Sequence, residues 1–257
     1  MPSSRARLVL RRASAWFLVL AVALVVPPAT TSAATSASAS TSAVLSEVTA
    51  PTPADVPAGP PYRLYRNPDG SPVRFDPCRP LRVRLNAPSS AAEADAREAL
   101  DRLAAVSGLA FSLEGRTEFV PSRAERTLAG TELVIAWAPP AGAPGGSDLL
   151  GADQLGTGGW TSQGQRSDGG VVWRATGGFA VLDVTRDAQL DPGFGPGLTR
   201  GALLLHEIAH ALGVDHVDDP SQLMSPRLQR RETPVALGAG DLAALRAVGA
   251  TAGCLPG

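Results

Sequence analysis

The chain contains three histidines, and all of them fall in one segment, His206-Glu207-Ile208-Ala209-His210-Ala211-Leu212-Gly213-Val214-Asp215-His216. His206 and His210 are four residues apart. On a helix that spacing puts both imidazoles on one face, one turn above the other, where two ring nitrogens can share a Zn2+ at about 2.0–2.1 Å. Gly213 accepts a positive φ, so it can end the helix and turn the chain sharply. The turn lets His216 approach the same ion from another direction. Three neutral imidazoles leave a fourth position open, as a catalytic zinc requires. Glu207 is displaced by roughly 100° around the helix from His206, so it projects beside the metal rather than onto it. There it can take a proton from zinc-activated water, whose pKa the metal lowers to about 7. When that water attacks a peptide carbonyl, Glu207 can hand the proton to the leaving amine, acting as general base and then general acid.

These side chains need a rigid, dry support. Ala202-Leu203-Leu204-Leu205 together with Ile208, Ala209, Ala211 and Leu212 make the helix apolar nearly all round, which predicts a buried helix. Histidines and a glutamate inside it need partners, and a metal supplies them. Thr199 is a good N-cap for a helix from Arg200 to about Leu212, after a stretch broken by Pro192, Gly193, Gly195, Pro196 and Gly197. Upstream, Leu81-Arg82-Val83-Arg84-Leu85 alternates as a half-buried strand does. Ser89 or Ser90 caps a helix to about Val106, with Ala96, Leu100, Leu103 and Ala104 at helical spacing and Gly108 at its end. Phe111-Ser112-Leu113 and Leu133 to Trp137 read as strands, the second stopped by Pro139-Pro140. The stretch from Gly142 to Gly170 is Gly-rich and reads as an irregular loop. Val171-Val172-Trp173 and Phe179 to Asp183 read as two further strands. A last helix starts at Asp241, with Leu242, Leu245 and Val248 on one face. The class is mixed α and β, without internal repeats.

The rest of the chain bounds the setting. Arg5, Arg7, Arg11 and Arg12 precede an apolar run from Trp16 to Val26, and small residues follow at Thr31-Ser32-Ala33-Ala34. This is the pattern of a cleaved secretory signal over residues 1–33; retention of the segment would instead tether the protein to the cell envelope. Residues 34–60 are Ser, Thr, Ala and Pro with little that is large and apolar, a linker or pro-region that cannot bury enough surface to fold. The folded domain is expected over residues 61–257. Tyr62 to Arg66 either lie across the sheet or end the pro-region. The cysteines, Cys78 and Cys254, sit at the two ends of that domain, and in an oxidising compartment they are expected to form a disulfide. A net charge of −1, with Arg the sole basic residue type besides histidine, offers no broad basic surface for nucleic acid or anionic membrane. The expected partner is a protein or peptide substrate, and the expected state a monomer.

The pattern His-Glu-x-x-His-x-x-Gly-x-x-His followed by a Met-turn resembles the metzincin zinc peptidases. Within them the chain looks like the matrixin branch: after His216 come Asp219-Pro220 and Leu223-Met224-Ser225-Pro226, with Met224 eight residues past His216. The resemblance implies an α+β fold, a twisted five-stranded mixed sheet with one antiparallel edge strand, three helices, and a zinc cleft between upper and lower subdomains. It implies a secreted metalloendopeptidase with one catalytic zinc on His206, His210 and His216. Met224 would form an apolar floor beneath the ion, and Asp241 would brace the Met-turn, although as an N-cap it would serve the last helix equally. The chain departs from the matrixin pattern at Ser225, where many members carry an aromatic, and at Gly240, where the first of two aspartates is usual. It has no cysteine-switch motif and no histidines for a second zinc. Asp148, Asp153, Asp168 and Asp183 are candidate calcium ligands, although scattered aspartates are more often solvated. The competing functions are a hydrolase of small or modified peptides and a secreted protein that keeps zinc only for structure. The second needs a fourth protein ligand that neither the histidines nor the paired cysteines supply.

Overall fold

The computed structural model describes residues 62–167 and 169–256; the expected signal segment and linker lie outside the described residues. Five strands form one sheet: β2 (Leu81–Asn86), β3 (Phe111–Arg116), β4 (Leu133–Ala138), β5 (Gly156–Ser167) and β6 (Gly170–Asp183), in the order β3-β2-β4-β6-β5. The first four of these positions pair in parallel, and β5 runs antiparallel along β6 at the edge. Helices α1 (Ser90–Ser107), α2 (Arg200–Ala211) and α3 (Ala239–Val248) complete an α+β domain. This is the expected five-stranded mixed sheet with three helices.

Central strands buried on both faces need continuous apolar sequence. Accordingly all six residues of β4 are buried, while β2 alternates buried Leu81, Val83 and Leu85 with more exposed partners. Helix α1 starts where the Ser89 side chain accepts the Ala92 N–H and stops at Gly108, whose φ of 71° closes the last turn. Its buried face carries Ala92, Ala96, Ala99, Leu100 and Leu103.

The reading of residues 142–170 as a loop needs correction. Residues 156–167 form a twelve-residue strand, and Val171–Trp173 and Phe179–Asp183 are parts of one continuous strand, β6. Strand propensity was a poor guide because β5 contains Gly156, Gly158, Gly159 and Gly164. The ladder to β6 holds this strand in place of side-chain preference, and the missing side chains admit neighbours: a Cβ on Gly159 would lie 2.7 Å from the Phe179 ring. At the start of the described residues lies a short strand, β1 (Arg63–Leu64), which does not join the five-stranded sheet. It pairs antiparallel with β7 (Val214–Asp215), inside the histidine segment itself.

One buried ionic cluster ties the layers together. The Arg200 guanidinium, on the first residue of α2, donates to Asp95 of α1 at 2.7 Å and to both carboxylate oxygens of Asp187 at 2.7 and 2.8 Å. Asp187 lies in the 3-10 turn after β6 and also accepts the Trp137 indole N–H. Charges out of water persist only when paired in this way.

Cys78 and Cys254 form a disulfide across a sequence separation of 176. Arg74 and Arg174 donate to the carbonyls of Gly253 and Pro256, holding the same C-terminal tail. Closing so long a loop restricts the unfolded chain, with a ceiling of about 5 kcal/mol. Replacing both cysteines by serine is expected to lower unfolding free energy by a few kcal/mol, read from denaturant titration. Unchanged stability would mean that the two arginine bonds suffice.

Candidate functional site

Helix α2 is built to hold its side chains still. The Thr199 hydroxyl accepts the Ala202 N–H, and every residue from Arg200 to Ala211 is buried. Gly213 follows with φ of 104°, and its carbonyl accepts the Tyr65 N–H at 2.9 Å. A Cβ at this position would overlap the Val73 carbonyl oxygen. The turn therefore needs glycine twice, for its backbone angle and for the close approach of the N-terminal segment. Beyond it the Asp215 carboxylate accepts the His216 N–H at 2.7 Å.

The turn brings three ring nitrogens together. Nε2 of His206 lies 3.1 Å from Nε2 of His210 and 3.1 Å from Nε2 of His216, and the latter two are 3.0 Å apart. A tetrahedral ion at 2.0–2.1 Å from each would set them about 3.3 Å apart. Nδ1 of His206 faces the Leu223 carbonyl and Nδ1 of His210 faces the Val214 carbonyl, both at 2.8 Å. A carbonyl can only accept, so each Nδ1 carries the proton and each of these Nε2 atoms presents a lone pair. Two such lone pairs converging with a third ring nitrogen at this distance favour a cation between them, and three imidazoles are a zinc-type donor set. The residues fit the metal.

Glu207 sits beside this triangle, buried, where desolvation pushes its carboxyl up to about 8 against the opposing pull of the Gly158 N–H. The glycines of β5 make room for it. A Cβ on Gly156 would lie 2.8 Å from Glu207 Oε1, and one on Gly158 would overlap the Glu207 carbonyl. A nearby cation favours the ionised form of this group. Burial acts in the other direction on the rings, holding His206 down to about 4 and His210 to about 3, and lowering His216 against the pull of Asp215.

These shifts predict a pH profile for the metal-free protein. Below about 6.5 the unfolded chain takes up protons at His206 and His210 that the folded chain refuses. Stability from keeping these rings neutral is present above that pH and lost as pH falls toward 4 and 3. Glu207 acts oppositely: the folded chain keeps a proton that the unfolded chain releases near 4.5, so its contribution is full below that pH and lost as pH rises through about 8. The Tm of chelator-treated protein is expected to peak near pH 6.5. Glu207→Gln should flatten the alkaline limb, and an alkaline limb unchanged by that substitution would contradict the assigned direction.

Met224 is buried, and its carbonyl accepts the Val217 N–H at 3.0 Å. The Asp241 carboxylate accepts the N–H groups of Leu223 and Met224 at 2.7 and 3.1 Å and that of Gly238 at 2.7 Å. It thus holds the turn that carries the His206 partner and also caps α3. Gln222 escaped the sequence reading. Its buried Oε1 accepts the N–H groups of Gly240 and Asp241 at the start of α3. Tyr65 was also missed: it stacks on Trp160, with ring centroids 4.1 Å apart, and lines the cleft from the residue after β1. Its only sequence signal was an aromatic residue in an otherwise unassigned segment.

The calcium candidates do not gather. Asp148 accepts the Arg123 N–H, and Asp183 accepts from Thr185. Among the described residues no group of three carboxylates forms a site, and Asp168 lies outside them. Asp148 and Asp183 are taken up by these bonds, and the calcium expectation gains no support.

The three histidines and Glu207 open onto a cleft of about 470 Å³, lined also by Tyr65, Gly156–Gly158, Leu203 and Pro226–Leu228. The sequence profile of the matrixin family matches residues 160–248, from within β5 to the end of α3. The folded domain is matrixin-like. The matched span carries the three histidines, Glu207, Met224 and Asp241. Matrixins are zinc-dependent metallopeptidases, and the matrixin-like domain here combines their sheet with a three-histidine group able to hold that ion. No curated protein matches the chain. Among the described residues, no helix is long and apolar enough to cross a membrane.

Proposed function

We propose that the protein is an exported zinc metalloendopeptidase, with His206, His210 and His216 as metal ligands and Glu207 as the acid-base residue. The observation that carries this reading is the convergence of three histidine Nε2 atoms beside a buried glutamate in an open cleft. When bound, zinc supplies Lewis-acid chemistry, acidifying water and polarising a carbonyl. The chain's own groups do the rest. The Leu223 and Val214 carbonyls hold His206 and His210 in the tautomer that presents Nε2. Glu207 receives a proton from the attacking water on its carboxylate and delivers it to the departing amine nitrogen. The free edge of β5 offers backbone groups to an extended peptide in the manner of strand addition. The charged and apolar N-terminal run supports export by a signal over residues 1–33, with a linker over 34–60 and the peptidase domain over 61–257.

The test is metal analysis with casein cleavage. Purified secreted protein is expected to hold about one zinc, to lose cleavage on chelation and to regain it when zinc is restored. Protein that holds zinc yet cleaves nothing across a broad peptide library would leave the structural-zinc reading in its place.

A further inference from the structure

The cleft carries more positive charge at one end than the chemistry of peptide hydrolysis needs. Arg186 and Arg227 both line it, with Leu203 and Leu228 as apolar walls. Both arginines sit on chain tied to the N-terminal side of α2. Arg186 lies in the 3-10 turn whose Asp187 binds Arg200, the first residue of that helix. Arg227 lies between the Met-turn and Arg231, which bridges to Gly197 just before the helix.

The acids near these arginines are already committed. Asp187 and Asp95 pair with Arg200, and Asp191 lies 3.7 Å from Arg230. Among the described residues neither Arg186 nor Arg227 has a carboxylate partner, and the one side-chain hydrogen bond of the two is from Arg186 to the Gln154 carbonyl at 3.4 Å. Asp153, at the exposed rim, is the one acid in the lining besides Glu207. A half-buried and an exposed guanidinium, lining one cleft with no carboxylate in ion-pair contact among the described residues, attract a carboxylate.

Resting on the peptidase reading, we infer that Arg186 and Arg227 are specificity residues selecting peptides with an Asp or Glu side chain at the subsite walled by Leu203 and Pro226–Leu228. The apolar walls take the methylene stem of such a side chain, and the guanidinium groups take its carboxylate. Neither arginine takes part in bond cleavage.

The test is binding of labelled hexapeptides to zinc-loaded Glu207→Ala protein, which removes the acid-base group and keeps the cleft. Peptides with Glu at each position in turn are compared with their Gln counterparts. At one position the Glu peptide is expected to bind about 5–10-fold tighter at low salt, less so at high salt. The preference should vanish in R186Q/R227Q and reverse in R227E. Equal affinity for Glu and Gln peptides at every position overturns the inference. So does a Glu preference that survives R186Q/R227Q, since the metal alone would then hold the carboxylate. Charge-selective binding with no cleavage by the wild-type protein would instead overturn the peptidase reading and leave this one standing.

Discussion

Glu207→Ala is expected to leave zinc binding intact and to lower proteolysis by about a thousandfold or more. Glu207 is not one of the converging ligands, so the ion keeps its three imidazoles. The carboxylate, however, is the one acid-base group buried next to them. General acid-base catalysis typically contributes 10²–10⁴-fold, roughly 3–5 kcal/mol of barrier, and here one group serves both proton transfers. The variant also removes a carboxyl that burial opposes, so the metal-free protein should be no less stable than wild type above pH 8. The measurements are zinc content per chain, kcat/KM on a casein-derived peptide, and thermal melting. Loss of zinc with loss of activity would move Glu207 from proton transfer to metal retention. Unimpaired cleavage would remove it from the reaction.

Gly213→Ala is expected to weaken zinc binding by at least about 100-fold and to destabilise the fold. The angle at this residue, φ 104°, costs an L side chain about 1–2 kcal/mol. The larger effect is steric, because the added methyl meets the Val73 carbonyl oxygen. Relief requires either shifting the segment that carries Tyr65 and Val73 or opening the turn. Opening the turn carries His216 away from the other two rings. Gly115, in β3, has a similar φ of 100° and open space around it. Gly115→Ala therefore serves as the control for backbone strain alone and should lower Tm without touching zinc affinity. Competition against a chromophoric chelator reads both. A soluble Gly213→Ala protein with wild-type affinity would mean that this turn does not aim His216.

The three-histidine group was legible because its information is local. A four-residue spacing on a helix, a glycine where the chain must reverse, and a third histidine three residues later need no knowledge of distant neighbours. The same holds for α1, bounded by Ser89 and Gly108, and for β2 and β4, whose burial is written as alternation or as an unbroken apolar run. Strand β5 was not legible. Its glycines speak against a strand by propensity, and their use appears only when Glu207, His210 and Phe179 are seen filling the space that side chains would take.

Residue types and spacings by themselves therefore determined which side chains could meet at one ion, which carboxylate stands beside it, and which helix carries them. Tertiary structure alone decided that β1 braces the Gly213 turn, that Gln222 occupies the start of α3, and that Arg186 and Arg227 line one end of the cleft. The reason is physical: helix periodicity and turn chemistry act within a few residues, whereas a carbonyl against a missing Cβ, or a guanidinium left without a counter-ion, depends on segments joined only when the core closes.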